Sequence, residues 1–114
     1  MERLAICLAC NLGASTSILV SKMQTIVEAS QKLSSKNVMI EAVPAGSIDG
    51  KMLETYQVIL LGPQIGHRKE EIEEKARPYH VPVAVIDAAD YGTMNAANIL
   101  REAIYLIKTN SSEG

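Results

Sequence analysis

Six residues near the start of the chain, Leu4-Ala5-Ile6-Cys7-Leu8-Ala9, are apolar without a break. A strand with one wet face alternates apolar and polar residues, whereas an unbroken run of strand length suits a strand covered on both faces, as in a parallel sheet. Parallel strands cannot be joined by a hairpin and need a long crossover, usually a helix. The next residues meet that demand. Cys10-Asn11-Leu12-Gly13-Ala14-Ser15-Thr16-Ser17 reads as a tight loop, and from about Ser15 the pattern changes. Leu19, Met23, Ile26, Ser30 and Leu33 recur every three or four positions with Lys22, Glu28 and Lys32 between them, which predicts an amphipathic helix.

The alternation then repeats. Val38 to Val43 is a second strand, stopped by Pro44 and Gly46, and Ser47 to Thr55 holds a turn or short helix. Val58 to Leu61 is a third strand, ended by Gly62-Pro63. Arg68 to Arg77 reads as a wet helix with Ile72 and Ala76 inward and i,i+4 pairs such as Glu71 with Lys75. Pro78 and Pro82 bracket a loop before a fourth strand, Val83 to Ile86. Asn95 to Lys108 closes the domain as a helix with Ile99, Leu100, Ala103, Ile104 and Ile107 as its buried stripe, leaving Thr109 to Gly114 as a frayed tail. This order predicts a single α/β domain over residues 1–108: an open parallel four-stranded sheet, order 2-1-3-4, with helices on both faces. Reversal after the first two strands opens a crevice at the carboxyl end of strand one, beside strand three. Cys10 and Gly62 both fall at that edge.

Bulk numbers narrow the functions. The 114 residues fill one domain, and 47% are apolar, enough for one core. With 11 basic and 13 acidic side chains, the net charge of -2 gives no reason to expect nucleic acid as a partner. No apolar run approaches the roughly 20 residues of a membrane-spanning helix. Met1-Glu2-Arg3 enters the first strand without the features of a secretory signal, so a cytoplasmic protein with reduced cysteines is expected. Without Trp or Phe, the core must be aliphatic, with Met and Tyr.

The loop at Cys10 carries the chemistry. Where a buried strand hands over to a helix, several backbone N–H groups lack helical partners and can converge on one anion, and the helix dipole adds positive charge there. Gly13 relaxes the backbone, and Ser15, Thr16 and Ser17 add hydroxyl donors. A phosphoryl group could be held there without a metal or a basic side chain. The same field favours a thiolate at Cys10, so nucleophile and anion cradle together describe a phosphocysteine site. A buried cysteine followed by an ordinary helix cap fits the same residues.

Other motifs fail. A Walker loop needs Gly-Lys-Ser/Thr, and this loop has no lysine. Cys7 and Cys10 are spaced C-x-x-C, but Cys7 lies inside the apolar run, away from a redox motif's loop–helix junction. A Cys-x5-Arg phosphatase would need arginine where Thr16 stands, and without that guanidinium hydrolysis loses its main clamp. A site that binds a thiophosphate but hydrolyses it poorly suits passing it on.

Three landmarks then resemble one family. Cys10 to Ser17, continued by Ile18-Leu19-Val20-Ser21-Lys22-Met23, is similar to the C-x-x-G-x-S-T-S signature of phosphotransferase-system enzyme IIB subunits of the lactose/cellobiose (chitobiose) type. Leu60-Leu61-Gly62-Pro63-Gln64-Ile65 resembles that family's L-L-G-P-Q-I segment, and Val85-Ile86-Asp87 with Tyr91-Gly92 its third landmark. Ala14, where many relatives carry a larger residue, and the basic segment Gly66-His67-Arg68-Lys69 depart from the pattern. The resemblance implies that Cys10 accepts a phosphoryl group from a phosphohistidine on enzyme IIA. It then passes the group to a sugar, such as cellobiose or chitobiose, held by the membrane protein enzyme IIC. Asn11, Leu12, Gly13, Ala14, Ser15, Thr16 and Ser17 would form the cradle, and no metal or organic cofactor is implied. Gln64 and Tyr91 are secondary candidates: Gln64 orients a partner or the phosphoryl oxygens or is a loop amide that satisfies nearby backbone, and Tyr91 packs beside the loop or in the core. Asp87 and Asp90 read as helix-cap or loop residues, and His67 and His80 as surface residues. A low-molecular-weight phosphatase-like protein and a non-catalytic anion-binding module are the alternatives.

Overall fold

The computed structural model describes residues 3–10, 14–31 and 37–113. Strand β1 (Arg3–Cys10) leads to helix α1 (Ala14–Ala29) and strand β2 (Asn37–Pro44). A 3-10 turn at Ala45–Ser47 and helix α2 (Gly50–Thr55) precede strand β3 (Val58–Leu61). A 3-10 segment, Pro63–Arg68, runs into helix α3 (Lys69–Ala76). A further 3-10 turn at Arg77–Tyr79 leads to strand β4 (Val83–Val85). Helix α4 (Ala88–Gly92) and helix α5 (Ala96–Glu113) follow.

The four strands are parallel in the order β2-β1-β3-β4, as expected from the sequence. Seven of the eight β1 residues are buried, which explains the unbroken apolar run: the strand is central and both its faces are covered. Leu4, Ile6 and Leu8 face one way, against Leu19, Met23 and Val27 of α1 and Ile99, Leu100, Ala103 and Ile107 of α5. Ala5, Cys7 and Ala9 face the other way, against Leu53 of α2 and Ile72 and Ala76 of α3. The side-chain period of two thus divides one strand between two cores. Leu33, expected on the α1 stripe, lies outside the described residues.

Both polar backbone groups of Ala5 are satisfied by Gln57. Gln57 N–H donates to Ala5 O at 2.9 Å, and the Gln57 side-chain oxygen accepts from Ala5 N–H at 2.8 Å. On edge strand β2, Glu41 accepts a short hydrogen bond from the Tyr56 hydroxyl, which ties the edge to the turn before β3.

Several boundaries differ from the sequence reading. The charged helix is confined to Lys69–Ala76, because Pro63 starts a 3-10 segment before it and Pro78 sits in another after it. Ile72 and Ala76 do face inward. Glu71, expected to pair with Lys75, pairs with Arg68 at 2.9 Å, and Lys69 pairs with Glu73 at 3.8 Å. Helix α5 continues through Glu113 and takes in residues 109–113, which were expected to be a frayed tail. In its last turns the Thr109 hydroxyl donates to Tyr105 O at 2.7 Å, and Asn110 Nδ2 donates to His80 O at 2.8 Å, which docks the helix on the turn before β4. Helix α4 has no counterpart in the sequence reading.

Candidate functional site

All strands being parallel, Cys10, Pro44, Leu61 and Val85 end at the same edge of the sheet. The chain order reverses between β1 and β3, so Cys10 stands at the topological switch point where open α/β sheets hold ligands. Four residues farther on, the 16-residue helix α1 begins, with its unpaired N–H groups and positive dipole end directed to this edge.

Both cysteines are buried, in different surroundings. Neither forms a disulfide. Cys7 is fully buried among aliphatic side chains of the α2/α3 face. Its thiol is pushed up to about 12, first by burial, then by the charges of Glu41 and Cys10. Cys10, at the strand end, is 6% exposed and belongs to neither apolar cluster of described residues. An odd separation along a strand also turns the two side chains to opposite faces, which removes the C-x-x-C pair as a redox unit.

Asn11, Leu12 and Gly13, and the side chains of Ala14, Ser15 and Thr16, lie outside the described residues. Ser17 is exposed on the first turns of α1, beside Ile18 at 53% exposure.

The second wall of the edge comes from the end of β3. Gly62 N–H donates to Ala9 O at 2.9 Å, which pins this turn beside Cys10. A Cβ on Gly62 would meet the Gln64 side-chain oxygen at 2.8 Å and lie 3.8 Å from the Tyr91 ring. The Gln64 amide folds back over the glycine while the residue stays exposed. Tyr91 is 9% exposed and packs in the α1/α5 core while its ring edge reaches Gly62, so it is both a core residue and a wall of the site. This meeting of Gly62, Gln64 and Tyr91 was not in the sequence reading as a unit; the signal for it was Gly62-Pro63 directly after an apolar strand.

Asp87 and Asp90 are structural. The Asp87 carboxylate caps α4, accepting from Ala89 N–H at 3.1 Å and Asp90 N–H at 3.3 Å. Asp90 accepts from Asn98 Nδ2 at 3.3 Å. His67 and His80 are both exposed; His67 lies in the segment after β3, while His80 is at the opposite, amino edge before β4. Among the described residues, no group of three or more His, Cys, Asp or Glu is placed to hold a metal ion, and no helix is long and apolar enough to cross a membrane.

Residues 5–102 match the family described as "PTS system, Lactose/Cellobiose specific IIB subunit". The chain is 39% identical over 102 residues to the galactose-specific EIIB component of the PTS system of Lactococcus lactis subsp. cremoris, covering 86% of this chain and 91% of that protein. It is equally similar, with the same coverage, to the cellobiose-specific EIIB component of Lactococcus lactis subsp. lactis. In three dimensions it superposes on the solution structure of the cellobiose-specific phosphotransferase IIB component from Borrelia burgdorferi. The TM-score is 0.76 at 30% identity, covering 96% of this chain and 95% of that one.

Proposed function

Because the chain belongs to the lactose/cellobiose-specific IIB subunit family of the phosphotransferase system, we propose that Cys10 is the residue that carries the phosphoryl group in transit to the sugar. The observation that carries the reading is the position of Cys10: at the carboxyl end of the central strand, at the switch point, ahead of a 16-residue helix.

The exchange balances as two displacements. The Cys10 sulfur attacks phosphorus on a phosphohistidine of enzyme IIA; an S–P bond forms, the N–P bond breaks, and the thiol proton passes to the departing ring nitrogen so that neutral imidazole leaves. A sugar hydroxyl held by the membrane partner, enzyme IIC, then attacks the thiophosphate. An O–P bond forms, the S–P bond breaks, the hydroxyl proton is released, and Cys10 departs as thiolate. Main-chain N–H groups of residues 11–17 cradle the three phosphoryl oxygens in both steps, aided by the dipole of α1. The reading needs no metal and is cytoplasmic. Ile18, half exposed on the first turns of α1, and exposed His67 and Gln64 flank the approach that a protein donor would take. Gln64, seated over Gly62, orients the incoming partner or the phosphoryl oxygens. The sugar is a β-linked disaccharide of the cellobiose or chitobiose kind; equal similarity to relatives named for galactose and for cellobiose is consistent with selectivity residing mainly in the membrane partner.

The test is phosphorylation of the purified chain by phosphoenolpyruvate, the general phosphotransferase proteins and a matching enzyme IIA. Mass spectrometry should find one added phosphoryl group, cleaved by iodine as thiophosphates are and lost in Cys10→Ser. Label on His67 or His80, or undiminished label in Cys10→Ser, would refute the assignment.

A further inference from the structure

At the amino edge of the sheet, opposite Cys10, lies a cavity of about 370 Å³, within the roughly 300–1,000 Å³ typical of small-molecule sites. The end of α2, the turns before β3 and β4, and the last turns of α5 frame it. Tyr56 and Tyr79 contribute aromatic surface, while Glu54, Gln57, His80 and Asn110 contribute polar groups.

Its walls are held in place by independent contacts. Position 50 has no side chain, and a Cβ there would collide with the Tyr79 hydroxyl, so Tyr79 is seated against the start of α2. His80 has φ 58, a left-handed conformation uncommon outside glycine, and Asn110 Nδ2 binds its carbonyl at 2.8 Å. His80 is the left-handed cap that ends the 3-10 turn Arg77–Tyr79, its N–H donating to Arg77 O at 3.1 Å. The Gln57 side chain is oriented by Ala5 N–H, and the Tyr56 hydroxyl by Glu41.

The lining selects a chemistry. Among the described residues that line it there is no lysine or arginine, and Glu54 adds a negative charge, so phosphates and nucleotides are disfavoured. Aromatic rings beside amide and carboxylate groups suit a neutral ring compound with apolar C–H faces and many hydroxyls. We propose that this amino-edge pocket binds a neutral saccharide. The site lies roughly 16 Å along β1 from Cys10, counting from Ala5, and its occupancy does not depend on the phosphoryl relay.

Backbone amide NMR of the full chain, titrated with cellobiose, tests the proposal; glycerol and choline serve as polyol and cationic controls. Cellobiose should give saturable shifts at Gln57, Tyr79, His80, Val81 and Asn110, equally in Cys10→Ser. Tyr79→Ala, at a 39% exposed position, should weaken the affinity about tenfold. His80→Gly, whose backbone suits the same φ, provides a second variant that should fold and also bind more weakly. The proposal fails if cellobiose gives no saturable shifts, or shifts Gly62, Gln64 and Tyr91 instead. It also fails if both variants bind as well as wild type, or if glycerol or choline reproduces the response. Binding that persists in Cys10→Ser separates this outcome from the fate of the relay.

Discussion

Cys7 and Cys10 show how far three positions on one strand can separate two thiols. Cys7 is sealed between the sheet and α2/α3, and its raised proton affinity has a stability consequence. A thiol whose folded value exceeds its unfolded one holds its proton in the native state after the unfolded chain has lost it. Its stabilising contribution is therefore complete below about pH 9 and is lost as pH rises from there towards 12. The expected slope is about 1.4 kcal/mol per pH unit. Tyr56, raised by burial and by Glu41, adds a loss of the same sign at the upper end. Urea denaturation between pH 7 and about 10 should show wild type losing stability relative to Cys7→Ala once pH passes about 9; parallel pH profiles would contradict the assignment. Cys10 was legible as a candidate because it ends an apolar run and precedes a helical pattern. The meeting of Gln64 and Tyr91 around Gly62 was not, since it joins residues from two turns that only tertiary packing brings together.

Helix α4 illustrates what periodicity misses. Five residues complete little more than one turn, too few for an apolar stripe to repeat, so Ala88–Gly92 carries no helical pattern. Its existence depends on a cap: the Asp87 carboxylate satisfies two N–H groups that so short a helix would otherwise leave open. Asp87→Ala should therefore cost about 1 kcal/mol, whereas Asp87→Asn, which still presents an acceptor, should cost less. Chemical denaturation of the two variants checks this, and equal losses would argue against the cap. Since α4 carries Tyr91 to Gly62, Asp87→Ala should also broaden the NMR signals of Gly62 and Gln64. Asp87 is legible as a capping residue without its helix, because cap chemistry is local.

At the scale of the whole molecule, β1 is the shared wall of two aliphatic cores, and its replacement costs should exceed those of any surface position. Leu8 is fully buried between β1 and the α1/α5 layer, so Leu8→Ala should destabilise by about 3 kcal/mol, within the usual 2–5. Ile18→Ala, at a position 53% exposed, should change stability by less than about 0.5 kcal/mol. Denaturation midpoints at constant m-value measure both, and a similar cost for the two would overturn this account of the core. The chain's own order of residues determined the layered class, the sheet order and the candidate nucleophile. Unbroken apolar runs, their helical spacers and the residue at a strand's end are local patterns whose meaning survives without knowledge of their neighbours. Tertiary structure alone decided the docking of the last turns of α5 on the turn before β4, the meeting of Gln64 and Tyr91 around Gly62, and the pocket at the amino edge. Each depends on groups distant in sequence meeting in space.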